Sequence, residues 1–209
     1  MFLDFNFVSR FKRGVPDDRK IWSATAIVNE KYHDVLKEVH TSFLDAGSMA
    51  VTTNSYGIIP GVGFNLEEIK QYTSISGKIA RDCVDTYNNN SNDDDGRNKK
   101  VVLGSLGPLL ESYRPDKLLP HEKGVKIYEI MIHALYPYVD CFLAETMSCL
   151  KESSQVMEAC GKYKINNKPL LVSYTLQSDG KLRDGESIST CIDQLLTLSS
   201  QQNVQCTSL

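Results

Sequence analysis

An α/β fold organised around a parallel sheet is what this sequence predicts, and three observations carry that reading. Short apolar or β-branched runs recur at Met49–Thr53, Val101–Ser105, Val139–Ala144 and Lys168–Tyr174. Between them lie longer stretches whose apolar residues follow helical spacing, so strand and helix alternate as in βα units. Each run gives way to polar or turn-forming residues, the pattern of strands that end at a loop-built rim.

The elements follow in order. Residues 2–4 form a short apolar start ending in Asp4, read as a first strand, with Gly14-Val-Pro16 as a turn after it. Ser23 precedes one long amphipathic helix in which Val28, Tyr32, Val35, Leu36, Val39 and Phe43 share a face and Gly47 is the stop. Met49–Thr53 is small, β-branched and continuous, as in a strand covered on both faces. It leads into Asn54-Ser-Tyr56 and a loop rich in Gly and Pro, residues 57–63. A second helix is expected from Leu66 to Val84. Residues 88–98 contain no apolar side chain and read as a disordered polar insertion. Val101–Ser105 is the next strand, followed by a long polar loop to Asp116 and a helix over His121–Tyr136. The run Val139–Ala144 stops at Glu145, and Thr146 and Ser148 open a helix that continues to about Cys160. A carboxylate at the end of a buried strand is a site signal where α/β folds gather their ligand-binding residues. Lys168–Tyr174, a helix over Ser187–Leu198 and a strand opening within Gln202–Leu209 complete the pattern.

Composition bounds the function. With 209 residues, 41% hydrophobic and 23% charged, the chain suits one globular domain with a sizeable core. Its net charge of -3, with Lys and Arg scattered, shows no nucleic-acid footprint. There is neither a signal-peptide pattern nor an apolar run long enough to span a bilayer, so no membrane partner is expected and the cytoplasm is the default compartment. Six cysteines, Cys83, Cys141, Cys149, Cys160, Cys191 and Cys206, lack any Cys-x-x-Cys pair and read as reduced core fillers.

Two architectures fit alternating βα units. A doubly wound sheet would show a Gly-rich turn after its first strand, which Asp4-Phe-Asn-Phe lacks. A barrel of eight units needs about 250 residues, so this length accommodates about six, with open edges on which an oligomer could form. A separate reading, a metal-free enzyme using Glu145 as a general base with His121 or His133, finds no spacing that pairs those residues.

Five segments in order, Ile21-Trp-Ser-Ala24, Ala46–Tyr56, Gly104-Ser-Leu-Gly-Pro108, Phe142-Leu-Ala-Glu-Thr146 and Val172-Ser-Tyr174 with Gly180-Lys-Leu-Arg-Asp-Gly185, resemble the homocysteine S-methyltransferase family. The resemblance covers nearly the whole chain. It implies a (β/α)8 TIM-type barrel, here truncated to about six βα units, forming a homocysteine-binding domain over residues 1–209 that is C-terminally incomplete. It also implies an S-methyltransferase that moves a methyl group from S-methylmethionine, S-adenosylmethionine or betaine to homocysteine and so forms methionine. In the family a zinc ion held by three cysteine thiolates binds the homocysteine sulfur and keeps it as thiolate near neutral pH. Asp4 and Glu145 match the acidic pair that holds the substrate ammonium. Asn54, Trp22 and Tyr56 match further substrate-binding positions, the two aromatics beside a cationic methyl donor. Val204-Gln-Cys206 is the match for the first zinc cysteine, and the two remaining family ligands have no counterpart here. Phe5 and Asn6 stand where the family has two glycines and are expected to crowd the amino-acid pocket.

Overall fold

The computed structural model describes residues 21–90, 98–165 and 167–208. A short 3-10 helix Trp22–Ala24 leads into α1 (Thr25–Val28) and, through a 3-10 turn at Glu30–Tyr32, into α2 (His33–Asp45). Then follow β1 (Ala50–Thr52), α3 (Leu66–Asn90), β2 (Val101–Leu106), α4 (His121–Leu135), β3 (Cys141–Met147), α5 (Leu150–Tyr163), β4 (Leu170–Tyr174), α6 (Ile188–Gln202) and β5 (Cys206–Ser208). The strand expected at residues 2–4 lies outside the described residues.

All four strand pairings are parallel, and the five strands lie side by side in chain order, β1-β2-β3-β4-β5. This order separates the two architectures. A doubly wound sheet reverses direction at a switch point, whereas here every crossover advances the same way. With right-handed crossovers, constant advance places the helices on one face. The fold is therefore α/β with a singly wound parallel sheet, the arrangement a barrel uses.

Alternation along the strands divides the side chains between the two faces. Val102 and Leu106 of β2, Phe142 and Ala144 of β3, and Leu170 and Val172 of β4 belong to the main core with helix residues such as Tyr128, Leu135, Val156 and Met157. Gly104 shares that face: a Cβ there would lie 3.1 Å from Val139 and 3.2 Å from Phe142, so the glycine lets the layers close. The alternate residues Leu103, Ser105, Leu143, Glu145, Leu171 and Ser173 point to the inner face.

Three expectations are corrected. The helix expected to run unbroken from Ser23 is interrupted at Asn29, whose backbone is extended (φ -113°, ψ 106°) and whose side chain accepts from Lys31 N–H at 3.4 Å. Asn competes in this way for backbone donors that a helix would use. α3 continues past Val84 to Asn90, and Asn88 near its end holds Lys100 through both N–H and C=O at 2.9 and 3.0 Å. Residues 91–97 of the polar insertion lie outside the described residues. Finally, β3 does not stop at Glu145; it runs to Met147 through an irregularity between Ala144 and Met147.

Candidate functional site

Glu145 lies on the inner face near the C-terminal end of β3, only 6% exposed. Its Oε1 accepts a hydrogen bond from Ser105 Oγ at 2.5 Å. Ser105 is fixed in turn, because its N–H donates to Thr53 Oγ1 at 2.9 Å and its C=O accepts from Ser55 Oγ at 2.8 Å. The Thr53 and Ser55 hydroxyls are 2.9 Å apart and hydrogen-bonded to each other. The Thr53 and Ser55 hydroxyls thus hold the backbone of Ser105, the residue whose own hydroxyl holds the carboxylate. Burial raises the Glu145 pKa, and the Ser105 hydrogen bond opposes that rise.

The next residue is strained. Thr146 sits at φ 63°, in the left-handed region that β-branched residues seldom occupy, at a cost of about 1–3 kcal/mol. The irregularity here returns Met147 to the helix-facing core while Glu145 stays on the inner face.

Tyr56, buried in the loop after β1, shares a 2.6 Å hydrogen bond between its hydroxyl and Ser112 Oγ. Burial raises its pKa, and hydrogen bonds from Ser112 and Thr146 pull the other way, so the phenol lies beside the Thr146 turn. Gly107 makes room for its ring, since a Cβ there would come within 2.7 Å of Tyr56 Cδ2. Asn54, on the same loop, donates from Nδ2 to Ser23 C=O at 3.0 Å. That bond fixes the amide orientation and leaves Asn54 Oδ1 buried without a hydrogen-bond partner, as is Ser23 Oγ.

Of the residues the sequence pointed to, Glu145, Tyr56 and Asn54 come together at the C-terminal rim of the sheet. Trp22 opens the 3-10 helix whose Ser23 carbonyl holds Asn54. Asp4, Phe5 and Asn6 lie outside the described residues. Cys206 does not join the group. It opens β5 opposite Leu170, the residue that also pairs with Phe142. Glu145 is three residues further along β3, about 10 Å towards the other end of the sheet. Cys206 also packs against the helix-facing core, near Cys160 and Tyr174, and burial pushes its thiol up to about 11. A zinc ligand needs an accessible thiolate and partner ligands. Among the described residues no three His, Cys, Asp or Glu side chains converge as a metal site. Among the described residues Cys206 therefore has no complete zinc site around it.

The six cysteines are free. His121 pairs with Glu158 at 2.8 Å and His133 stacks edge-on against Tyr163 at 5.6 Å, so each is engaged in the helical layer. Among the described residues no helix is long and apolar enough to cross a membrane. Sequence reasoning missed Ser105, Thr53, Ser55 and Thr146. The polar cluster after each strand was the available signal, but it did not reveal which hydroxyl reaches which neighbour.

Comparison with known proteins gives the family and the fold. The profile of the homocysteine S-methyltransferase family matches residues 9–207. Homocysteine S-methyltransferase YbgG of Bacillus subtilis is 21% identical over 88% of this chain and 61% of its own length. Homocysteine S-methyltransferase 1 of Brassica oleracea is 24% identical over 97% of this chain and 65% of its own length. The chain therefore spans less than two thirds of the length of these curated relatives. Among solved structures, the homocysteine methyltransferase MmuM of Escherichia coli in its metallated form superposes with a TM-score of 0.76 at 22% identity, covering 90% of this chain and 67% of that one. The apo form gives 0.62 at 20% identity over 83% of this chain and 61% of that one. With a matching family profile over most of its length and the same fold, this chain belongs to the homocysteine S-methyltransferase family.

Proposed function

We propose that this chain forms the greater part of a homocysteine S-methyltransferase domain, and that Glu145 holds the ammonium group of homocysteine. The observation that carries the reading is the buried Glu145 carboxylate at the sheet's C-terminal rim, fixed by Ser105 and the hydroxyls behind it. A carboxylate this buried is stabilised by a cationic partner, and an ammonium supplies one. Asp4 is the second carboxylate of the pair in this reading.

The reaction is methyl transfer from a sulfonium or quaternary ammonium donor to the homocysteine sulfur. The sulfur lone pair forms the new C–S bond, the donor's bond to the methyl carbon breaks with its electron pair, and the thiol proton leaves to solvent. The donor departs as a neutral sulfide or amine, and methionine is formed. The protein's part is to hold sulfur and methyl carbon at near-attack distance. In this reading Tyr56 is the aromatic side chain against the cationic donor, and Trp22 is the second aromatic position assigned to it. Asn54 steadies the loop that carries Tyr56. The zinc implied by the resemblance enters no step here, because among the described residues no three ligands converge on Cys206. In this reading the chain works in the cytoplasm, and an oligomer would form through the edges of the sheet.

The test is calorimetric titration with homocysteine, followed by assay of methionine from S-methylmethionine, S-adenosylmethionine and betaine. The expected result is binding that Glu145→Gln removes. Binding without transfer from any donor would reduce the chain to a non-catalytic family member, and absence of binding would overturn the reading.

A further inference from the structure

A second buried carboxylate lies behind the rim. Glu152, on the first turn of α5, is 3% exposed, and its Oε2 accepts from Ser148 N–H at 2.7 Å. In the usual capping box a carboxylate at this helical position reaches back to the cap residue, here Cys149. Glu152 reaches one residue further, into the turn that follows Glu145 and Thr146. The opposite side of that turn is pinned by other elements. Met147 C=O accepts from Thr175 N–H at 2.9 Å, and Ser148 C=O accepts from Arg183 N–H at 3.1 Å. The Ser148 N–H is the remaining hold, and Glu152 supplies it. Thr146, left-handed two residues earlier, persists only where its surroundings over-determine it.

Hydrogen bonding alone does not explain a carboxylate here. A glutamine would accept the same N–H without burying a charge, and among the described residues no Lys, Arg or His forms an ion pair with Glu152. The described ionisable groups that face it are Tyr128 of α4 and Cys149 of its own turn, the latter also near Asp184. Burial keeps Tyr128 well above its usual range and Cys149 up to about 11, so both stay neutral through the physiological range.

We infer that Glu152 is a positioning residue for Glu145: through the Ser148 amide it fixes the left-handed Thr146 turn and so the direction of the substrate-binding carboxylate. The inference deepens the proposed homocysteine site and rests on it for its effect on binding. Burial raises the Glu152 pKa to about 7, so the strength of this hold changes near neutrality, where the anion accepts a stronger hydrogen bond than the acid does.

The experiment combines amide NMR with calorimetry on the wild type, Glu152→Gln and Glu152→Ala, between pH 5.5 and 8.5. In the wild type without ligand, the Ser148 amide should titrate with a midpoint near 7; in Glu152→Gln that step should vanish while the Thr146 amide keeps its wild-type position. Glu152→Ala should displace the Thr146 amide and weaken homocysteine binding about tenfold, with Glu152→Gln restoring it to within about threefold and removing its pH step. A Ser148 amide that does not titrate, or a Thr146 amide unmoved in Glu152→Ala, overturns the inference. If Glu152→Ala does not fold, the wild-type titration and its loss in Glu152→Gln decide alone. If the wild type binds no homocysteine, the functional reading fails while the amide shifts still judge the positioning role.

Discussion

The two ends of the sheet treat charge in opposite ways. At the N-terminal end, Asp140 accepts from Val102 N–H at 2.7 Å and from Arg81 Nη2 at 2.5 Å, while Arg81 Nε donates to Tyr138 C=O at 2.9 Å. Lys168 there donates to the Tyr136 and Val139 carbonyls and lies 4.5 Å over the Tyr136 ring. Cation and anion meet, and backbone groups take up the remaining valence. At the C-terminal end, Glu145 and Glu152 are buried with hydroxyl and amide donors but no ion-pair partner among the described residues. Thr146 is strained there, and the Asn54 side-chain oxygen has no hydrogen-bond partner among the described residues. The first end holds the fold together; the second gives up stability, as sites that bind ligands commonly do.

Four experiments test that contrast, beginning with the largest effect and ending with the smallest. Glu145→Gln should weaken homocysteine binding by roughly 30- to 4,000-fold, the loss of a buried charge partner worth about 2–5 kcal/mol, while leaving thermal stability equal or higher. Calorimetric titration and a melting curve read both; a melting temperature well below wild type would make Glu145 a structural residue. Asp140→Ala should do the reverse. Urea unfolding is expected to show a loss of about 1–2 kcal/mol, chiefly from leaving the Val102 N–H without its acceptor, since Arg81 keeps Asp85 and the Tyr138 carbonyl, with homocysteine affinity unchanged.

The third concerns pH. Because burial raises the folded-state pKa of Glu152 to about 7 from an ordinary value of 4.5, the folded chain holds a proton that the unfolded chain has released between those values. Stability should therefore fall as pH rises from about 4.5 to 7, by up to roughly 3 kcal/mol, and level off above. Glu145, shifted the same way, adds to the slope. Unfolding of Glu152→Gln across this range should show a shallower fall, and equal slopes would place the protonation elsewhere. The smallest effect is expected from Cys206→Ser. At the opposite end of its strand and on the other face, it should leave homocysteine binding within about twofold of wild type. A large loss would mean that Cys206 reaches the site after all.

Much of this fold was legible because its periods are long and its strands apolar on both faces. The helices beginning at Leu66, His121 and near Leu150 and Ile188 follow directly from their spacing. Glu145 stood out because a charge ended an apolar run. What the sequence concealed was either local and chemically quiet or distant along the chain. Asn29 breaks a helix whose apolar face continues on both sides, so periodicity alone carries a reader past it. Nothing in Glu145-Thr-Met147 marks a left-handed residue, since that conformation is imposed by bonds from Glu152, Thr175 and Arg183 rather than by threonine itself. Ser105 and Glu145 are 40 residues apart, and only strand register makes them neighbours. Cys206 depends on register in the same way. Val-Gln-Cys identifies a strand, but the pairing with Leu170 decides which end of it the thiol occupies.

The chain-order sheet also bears on how the molecule is made. Among the described residues each strand pairs only with the strands of the adjacent βα units, so no interior strand waits for a distant partner. An emerging chain can add each unit to the edge left by the one before, as N-terminal segments fold first during synthesis. The same neighbour-only wiring keeps the entropy of closing loops low at every step. Assembly of this sheet is therefore directional, and the growing edge is the surface most exposed to mispairing at each moment of translation.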